Sequence, residues 1–362
     1  MHIHELLDHM LTLDASDLHL KVGNQPLVRV HGEIRALELP RLTPNETKDI
    51  IFSILSQAQQ KEYMEEWEID LAYAYEDKAR FRVNAFHQRG TMAAVFRVIP
   101  MRIRTMQELN LPPIIKEYCD RPRGLILVTG PTGSGKSTTL ASMIDYINAT
   151  RDEHIITIED PVEFVHHNKR SLINQREVGR DTMSFINALK SALRQDPDVV
   201  LIGEMRDLET IGTALTTAET GHLVLATLHT TGAAQTIDRV IDVFPPEQQP
   251  QVRMQLSMNI QGIVSQTLLR RADGRGRVAA FDIMVPTPAM RNLIRDGKTH
   301  QIPATMQTSK SSGMCTLEQS LTELVKKRLI TKEVAMHKAM DQEALAELLG
   351  LPKNPGGGMA RP

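Results

Sequence analysis

The residues Gly130-Pro131-Thr132-Gly133-Ser134-Gly135-Lys136-Ser137 follow the spacing G-x-x-x-x-G-K-[ST], whose chemistry is phosphate capture. Glycines let successive backbone N–H groups turn inward around phosphate oxygens, where a Cβ would intrude. Lys136 supplies a mobile cation for β- and γ-phosphates, and the Ser137 hydroxyl is a ligand for magnesium. Thr138 opens a helical stretch to Asn148, whose N-terminal partial positive charge faces the same anion. Glu204 closes the apolar run Val199–Ile202, a Walker B pattern in which a carboxylate holds magnesium through water or orients an attacking water. Glu163 is a second carboxylate for either task. Glu159 and Asp160 share its loop, and capping the next segment is the simpler role open to any of the three.

Two histidines flank one apolar run, Leu223–Leu228. As ends of a strand, His222 and His229 are separated by roughly 23 Å, at about 3.3 Å per residue. Only one can therefore meet a γ-phosphate within one chain. His229, at the carboxyl end, is the candidate phosphate sensor, and His222 reads as a structural or subunit-contact residue.

These side chains need a scaffold, and the pattern around them specifies one. Leu125–Thr129, Ile155–Ile158, Val199–Ile202 and Leu223–Leu228 read as strands, interleaved with amphipathic helices such as Phe185–Arg194. Near-continuous apolar strands with helices between them predict an α/β fold whose parallel sheet is covered on both faces. Ligands of such a sheet sit beyond the carboxyl ends of its strands. The four strand ends should therefore bring Gly130–Ser137, Glu159–Glu163, Glu204 and His229 to one crevice.

The flanking regions read differently. Residues 1–98 alternate short helices and strands, a small α+β domain. A helix starts at the Thr43 cap with Pro44 and Glu46 behind it, and His31-Gly32-Glu33 forms a turn. Pro100, Pro112 and Pro113 mark 99–113 as a linker, the parallel-sheet core spans 114–280, and 281–349 is mostly helical. Residues 350–362 form a glycine-rich, flexible tail.

Composition excludes several classes. A 41% hydrophobic and 24% charged chain of 362 residues is globular. The 42 basic and 44 acidic residues leave a net charge of −2, which together with few aromatics argues against a nucleic-acid partner. Cys119 and Cys315 cannot build a disulfide framework or an all-cysteine zinc site. Acids near Met1, and apolar runs far below the roughly 20 residues of a membrane helix, point to a cytoplasmic protein.

With these motifs assembled, the chain resembles the type IV pilus retraction ATPases, the PilT-like branch of the secretion-ATPase superfamily of hexameric motors. Ala15–Leu20, Arg80–Phe86 and the phosphate loop carry the likeness. Thr157–Phe164 matches the family's Asp box, Leu201–Asp207 its Walker B segment and Thr220–Thr230 its His box. The resemblance implies a PAS-like N-terminal domain joined to a RecA-like ATPase domain, and a homohexamer binding ATP and Mg2+. In such hexamers nucleotide is held between one subunit's ATPase domain and arginines of a neighbour's N-terminal domain. Arg82 and Arg97 fall at the matching positions, with Arg80 nearby. A trans arginine neutralises transition-state charge only when the neighbour closes.

Ala289–Asp296 resembles the retraction motif AIRNLIRE, with Met290 for Ile and Asp296 for Glu. On a helix, Met290, Leu293 and Ile294 share one face and Arg291 and Arg295 another, a docking helix with a wet cationic side. Extension and type II secretion relatives usually carry a four-cysteine zinc motif, which two cysteines disfavour. The family reading implies pilus retraction and twitching motility, with Ser137 on magnesium and Glu204 and Glu163 joining through water. It also implies an inner-membrane platform protein as partner, a second retraction ATPase beside it, and a peripheral place at the pilus base. An extension or accessory ATPase is the nearest alternative, and a hexameric DNA translocase a more distant one.

Overall fold

Local sequence sets the ends of several helices. Thr43 caps the helix Pro44–Ser53, and Glu46 returns its carboxylate to the Thr43 N–H at 2.9 Å, the capping box read from the sequence. Gln57–Glu66 is closed by the same device from Ser56 and Gln59. Apolar periodicity did not reveal that second helix, because only Tyr63 of its residues is buried. With Ile3–Thr12 at the start, these are α1 (Ile3–Thr12), α2 (Pro44–Ser53) and α3 (Gln57–Glu66).

The computed structural model describes residues 2–30, 32–76, 78–99 and 102–351, in two units that meet in sequence at Arg102/Ile103. In the first unit, β1 (Asp17–Lys21), β2 (Leu27–Val30), β3 (Glu33–Ala36), β4 (Glu68–Tyr75), β5 (Ala79–Gln88) and β6 (Thr91–Ile99) form one antiparallel sheet. Its order is β3-β2-β1-β6-β5-β4. Leu6, Leu7 and Met10 of α1 pack with Leu18, Phe81 and Phe96 of the sheet. Strand β3 starts at Glu33, the last residue of the turn expected there, and His31 lies outside the described residues.

The second unit is built on a seven-stranded sheet. Its strands are β7 (Gly124–Thr129), β8 (His154–Glu159), β9 (Leu172–Glu177), β10 (Val199–Ile202), β11 (Leu223–Leu228), β12 (Ile260–Arg270) and β13 (Arg277–Met284). They run in the order β13-β12-β7-β11-β10-β8-β9, all parallel except β13. Every residue of β7, β10 and β11 is buried, as strands covered on both faces require.

Helices cover both faces. On one side lie α4 (Ile114–Cys119) and α5 (Lys136–Thr150), where Tyr118, Met143 and Ile144 meet Ile126 and Val128. On the other lie α6 (Phe185–Ala192), α7 (Leu208–Glu219), α8 (Ala233–Asp242), α9 (Gln249–Asn259) and α10 (Pro288–Arg295). The chain continues through α11 (Ile302–Thr308), α12 (Leu317–Lys326), α13 (Lys332–Lys338) and α14 (Gln342–Leu348).

Three strands escaped the sequence pattern. The edge strand β9 carries Asn174, Gln175 and Arg176, and β12 follows α9 with no intervening turn signal. Strand β13 runs through Met284, so the sheet reaches past the expected boundary at 280. Of the glycine-rich tail, 352–362 lies outside the described residues.

The register of β12 against β7 slips between Ile260 and Gly262. A Cβ at Gly262 would come within 2.4 Å of the Tyr118 ring, which is fully buried and donates its hydroxyl to the Met284 carbonyl at 3.1 Å. The ring is held at both ends and has no room to retreat. Gly262→Ala should therefore cost about 1–3 kcal/mol of stability, read as a lower midpoint in denaturant unfolding. An unchanged midpoint would show that the ring yields freely.

Candidate functional site

The phosphate loop takes its shape from close packing against β12. Gly130 has φ +139°, and a Cβ there would lie 2.2 Å from the Gln266 carbonyl oxygen. Gly135, at φ +92°, caps α5, so the helix opens at Lys136 and not at Thr138 as the sequence suggested. Lys136 and Ser137 thus stand in the first turn, where backbone N–H groups lack intrahelical partners and the helix dipole is positive. Thr139 donates to Gln266 Oε1 at 2.7 Å and fastens that turn to β12.

Two features fit a phosphate. The Ser134 hydroxyl is buried without a hydrogen-bond partner, and at Gly133, φ +76°, an added Cβ would project into open space. Lys136 Nζ rests on the Gly130 and Pro131 carbonyls at 2.8 and 3.2 Å. Burial pushes its pKa below the ordinary lysine value, opposed by the charges of Glu204 and Glu163.

A cavity of about 400 Å³ lies beyond the strand ends. Thr132, Gly133, Gly135, Lys136, Ser137 and Thr138 line it from the loop and α5, Glu159 from the last position of β8, and Asp160 and Glu163 from the segment that follows. Glu204 enters after β10 and His229 after β11. The four strand ends do converge, as the parallel sheet predicted. Gly130, Pro131 and Ser134 shape the loop without lining the cavity.

Geometry then separates the carboxylates. Glu204 receives His229 Nε2 at 3.1 Å on one oxygen and Arg206 at 2.8 Å on the other. Burial alone would raise its pKa, but Arg206 and His229 outweigh that and hold it below the ordinary glutamate value. Glu159 goes the other way: burial raises it, only partly offset by donors from Thr157 at 2.7 Å and Gln175 at 3.2 Å. Glu163 is exposed at the cavity, on a loop tied down by the Val162 N–H to Glu177 at 3.0 Å.

His222 lies at the start of β11, with Nδ1 3.0 Å from the Thr217 carbonyl, and does not line the cavity. Arg82 and Arg97 belong to the first unit, opposite one another on β5 and β6, and both are largely exposed. Arg97 Nε donates to the buried Asp17 at 2.8 Å, and Arg82 lies 3.9 Å from Asp70.

Sequence reasoning missed Arg206, whose signal was its place two residues beyond Glu204, on the same strand end. It also missed Arg277 of β13, which reaches the cavity from a strand that the pattern did not reveal. The arginine face of α10 needs correction. Met290 and Ile294 are buried as expected, but Arg291 is half-buried and donates to the Ser257 and Met258 carbonyls at 2.5 and 2.8 Å. It caps the C-terminus of α9, where a cation meets unpaired carbonyls and the negative dipole end.

Comparison with known proteins agrees with this architecture. Residues 1–348 match the family model described as Type II/IV secretion system protein. The chain is 54% identical over 339 residues to the type IV pilus retractation ATPase PilT of Pseudomonas aeruginosa, covering 94% of this chain and 98% of that protein. It is 52% identical over 321 residues to a twitching motility protein of Neisseria gonorrhoeae, covering 89% and 86%. A crystal structure of the pilus retraction motor PilT with bound ADP superposes with a TM-score of 0.91 at 49% identity, over 96% of this chain and 99% of that one.

Arg206 sets the Glu204 charge, so Arg206→Ala should raise the Glu204 pKa and let the carboxylate protonate at higher pH. A 13C-detected carboxyl titration reads this directly, and an unmoved midpoint would assign the control to His229 alone.

Proposed function

The chain belongs to the type II/IV secretion system protein family, and from that premise we propose that it is a hexameric motor hydrolysing ATP to ADP and phosphate to power type IV pilus retraction. One observation carries the catalytic half of this reading: Lys136, Ser137, Glu204, Glu163 and His229 line a single cavity at the carboxyl ends of a parallel sheet. The identity to a retraction ATPase and the likeness to an ADP-bound motor support the mechanical half.

In this reading Lys136 leaves the Gly130 and Pro131 carbonyls to meet the β- and γ-phosphates. The N–H groups of Gly133–Thr138 hold the remaining oxygens. Glu204 and Glu163 position or activate the attacking water, and His229 senses the γ-phosphate through its bond to Glu204. Arg82 and Arg97 of a neighbouring subunit complete the charge on the transferring group.

Magnesium fits the donor set. Ser137, Glu204 and Glu163 offer hard oxygens around one cavity. Among the described residues no group of three His, Cys, Asp or Glu is arranged to hold a metal. Such a sparse set suits Mg2+, which binds through one or two protein oxygens plus substrate phosphates. When bound, it would neutralise phosphate charge.

Among the described residues no helix is long and apolar enough to cross a membrane. The proposed place is the cytoplasmic face of the inner membrane at the pilus base, held there by a platform protein, with a second retraction ATPase as a further partner.

Lys136→Ala should lower turnover at least about a hundredfold, measured as phosphate release, and full turnover would defeat the catalytic assignment. Cells lacking the protein should carry surplus pili that never shorten under single-pilus imaging. Bald cells would instead mark an extension motor.

A further inference from the structure

Helix α8 begins four residues after His229, and its N-cap, Gly232, offers no side chain to its free N–H groups. Two distant residues do so. The Gly232 N–H donates to Ser265 Oγ at 2.8 Å, and the Ala233 N–H to Asp282 Oδ1 at 2.9 Å. Ser265 and Asp282 are register partners across β12 and β13. Beside it on β13, the Phe281 N–H donates to Ser320 Oγ of α12 at 3.0 Å. The N-terminus of α8, a partial positive charge, therefore rests on the Asp282 carboxyl group. Desolvation pushes that carboxyl up to about 7, against the pull of the Ala233 N–H, and Glu318 adds to the rise.

The first turn of α8 is tied in turn to both sides of the cavity. Thr236, fully buried, donates to the Gly232 carbonyl at 2.8 Å. Its hydroxyl lies 2.8 Å from that of Thr230 and 3.4 Å from that of Thr129. Thr230 follows His229 in the chain, and Thr129 precedes Gly130. The phosphate loop and the histidine thus meet at one turn of helix, and that turn is held by Asp282.

We propose that Asp282 is a positioning residue for nucleotide hydrolysis: by holding the first turn of α8 it sets His229 against Glu204 and in line with the phosphate loop. This rests on the reading of the cavity as an ATPase site. Its consequence is that the C-terminal helices and the site share an anchor. Glu318 of α12 extends it, accepting the Met340 and Asp341 N–H groups at 3.1 Å ahead of α14. A misplacement of catalytic groups by a fraction of an ångström lowers turnover more than binding.

The test is steady-state ATP hydrolysis by the full-length assembled protein and its variants, with oligomer mass and melting midpoint followed beside it. D282N keeps an oxygen acceptor for Ala233 but takes away the negative charge at the N-terminus of α8. It should lower kcat about tenfold or more while KM for ATP stays within about twofold. D282E should recover kcat to within about threefold of the parent. T236V, nearly isosteric, should show the same kcat-selective loss by cutting the link to Thr230. Parental kcat in an intact D282N oligomer overturns the proposal, as does a joint fall of kcat, KM behaviour and melting midpoint. If D282N does not assemble, parental kcat in T236V overturns it. K136A is run alongside: its full turnover would fault the ATPase reading itself, whereas an inactive K136A beside a normal D282N faults this inference alone.

Discussion

Between Gly130 and the Gln266 carbonyl there is no room for a single methyl group. That close approach holds the phosphate loop against β12, and the Thr139–Gln266 hydrogen bond extends the attachment into the first turn of α5. Strand β12 is itself located by Gly262, which admits the Tyr118 ring. A chain of tight backbone contacts thus runs from the core of the sheet to the N–H groups that face the cavity. Such bracing fixes the shape of the loop, and a fixed backbone cradle is what phosphate selectivity requires.

Charge at the site is arranged by the same economy. The chain as a whole is close to neutral, with 42 basic against 44 acidic residues, and the cavity likewise mixes Lys136, Arg206 and Arg277 with Glu159, Asp160, Glu163 and Glu204. Lys136 is partly desolvated and leans on two neutral carbonyls, which the charged oxygen of a bound phosphate would outcompete. Glu204 is the reverse: Arg206 and His229 engage both its oxygens and keep it ionised. The carboxylate proposed to orient water is thereby separated in character from Glu159, whose burial favours the neutral acid.

The arginines of α10 show how a local pattern misleads. Spacing alone puts Arg291 and Arg295 on one polar face, and the apolar half of that reading holds, with Met290 and Ile294 buried. Arg291 nevertheless spends its guanidinium on the last carbonyls of α9. Helical periodicity tells which side a residue faces, but a helix end arriving from another part of the chain decides what it meets there.

By itself the sequence determined the phosphate loop, the parallel sheet and the four strand ends that converge on the cavity. Those features depend on residues close together in the chain: glycines in a turn, apolar runs of strand length, a carboxylate directly after a strand. Only the tertiary structure decided that Gln266 braces the first turn of α5 across 127 residues, that His229 bonds to Glu204, and that Asp282 holds the start of α8. Each of these joins segments whose separation leaves no periodic trace, and their meeting is settled by how the helices pack on the sheet.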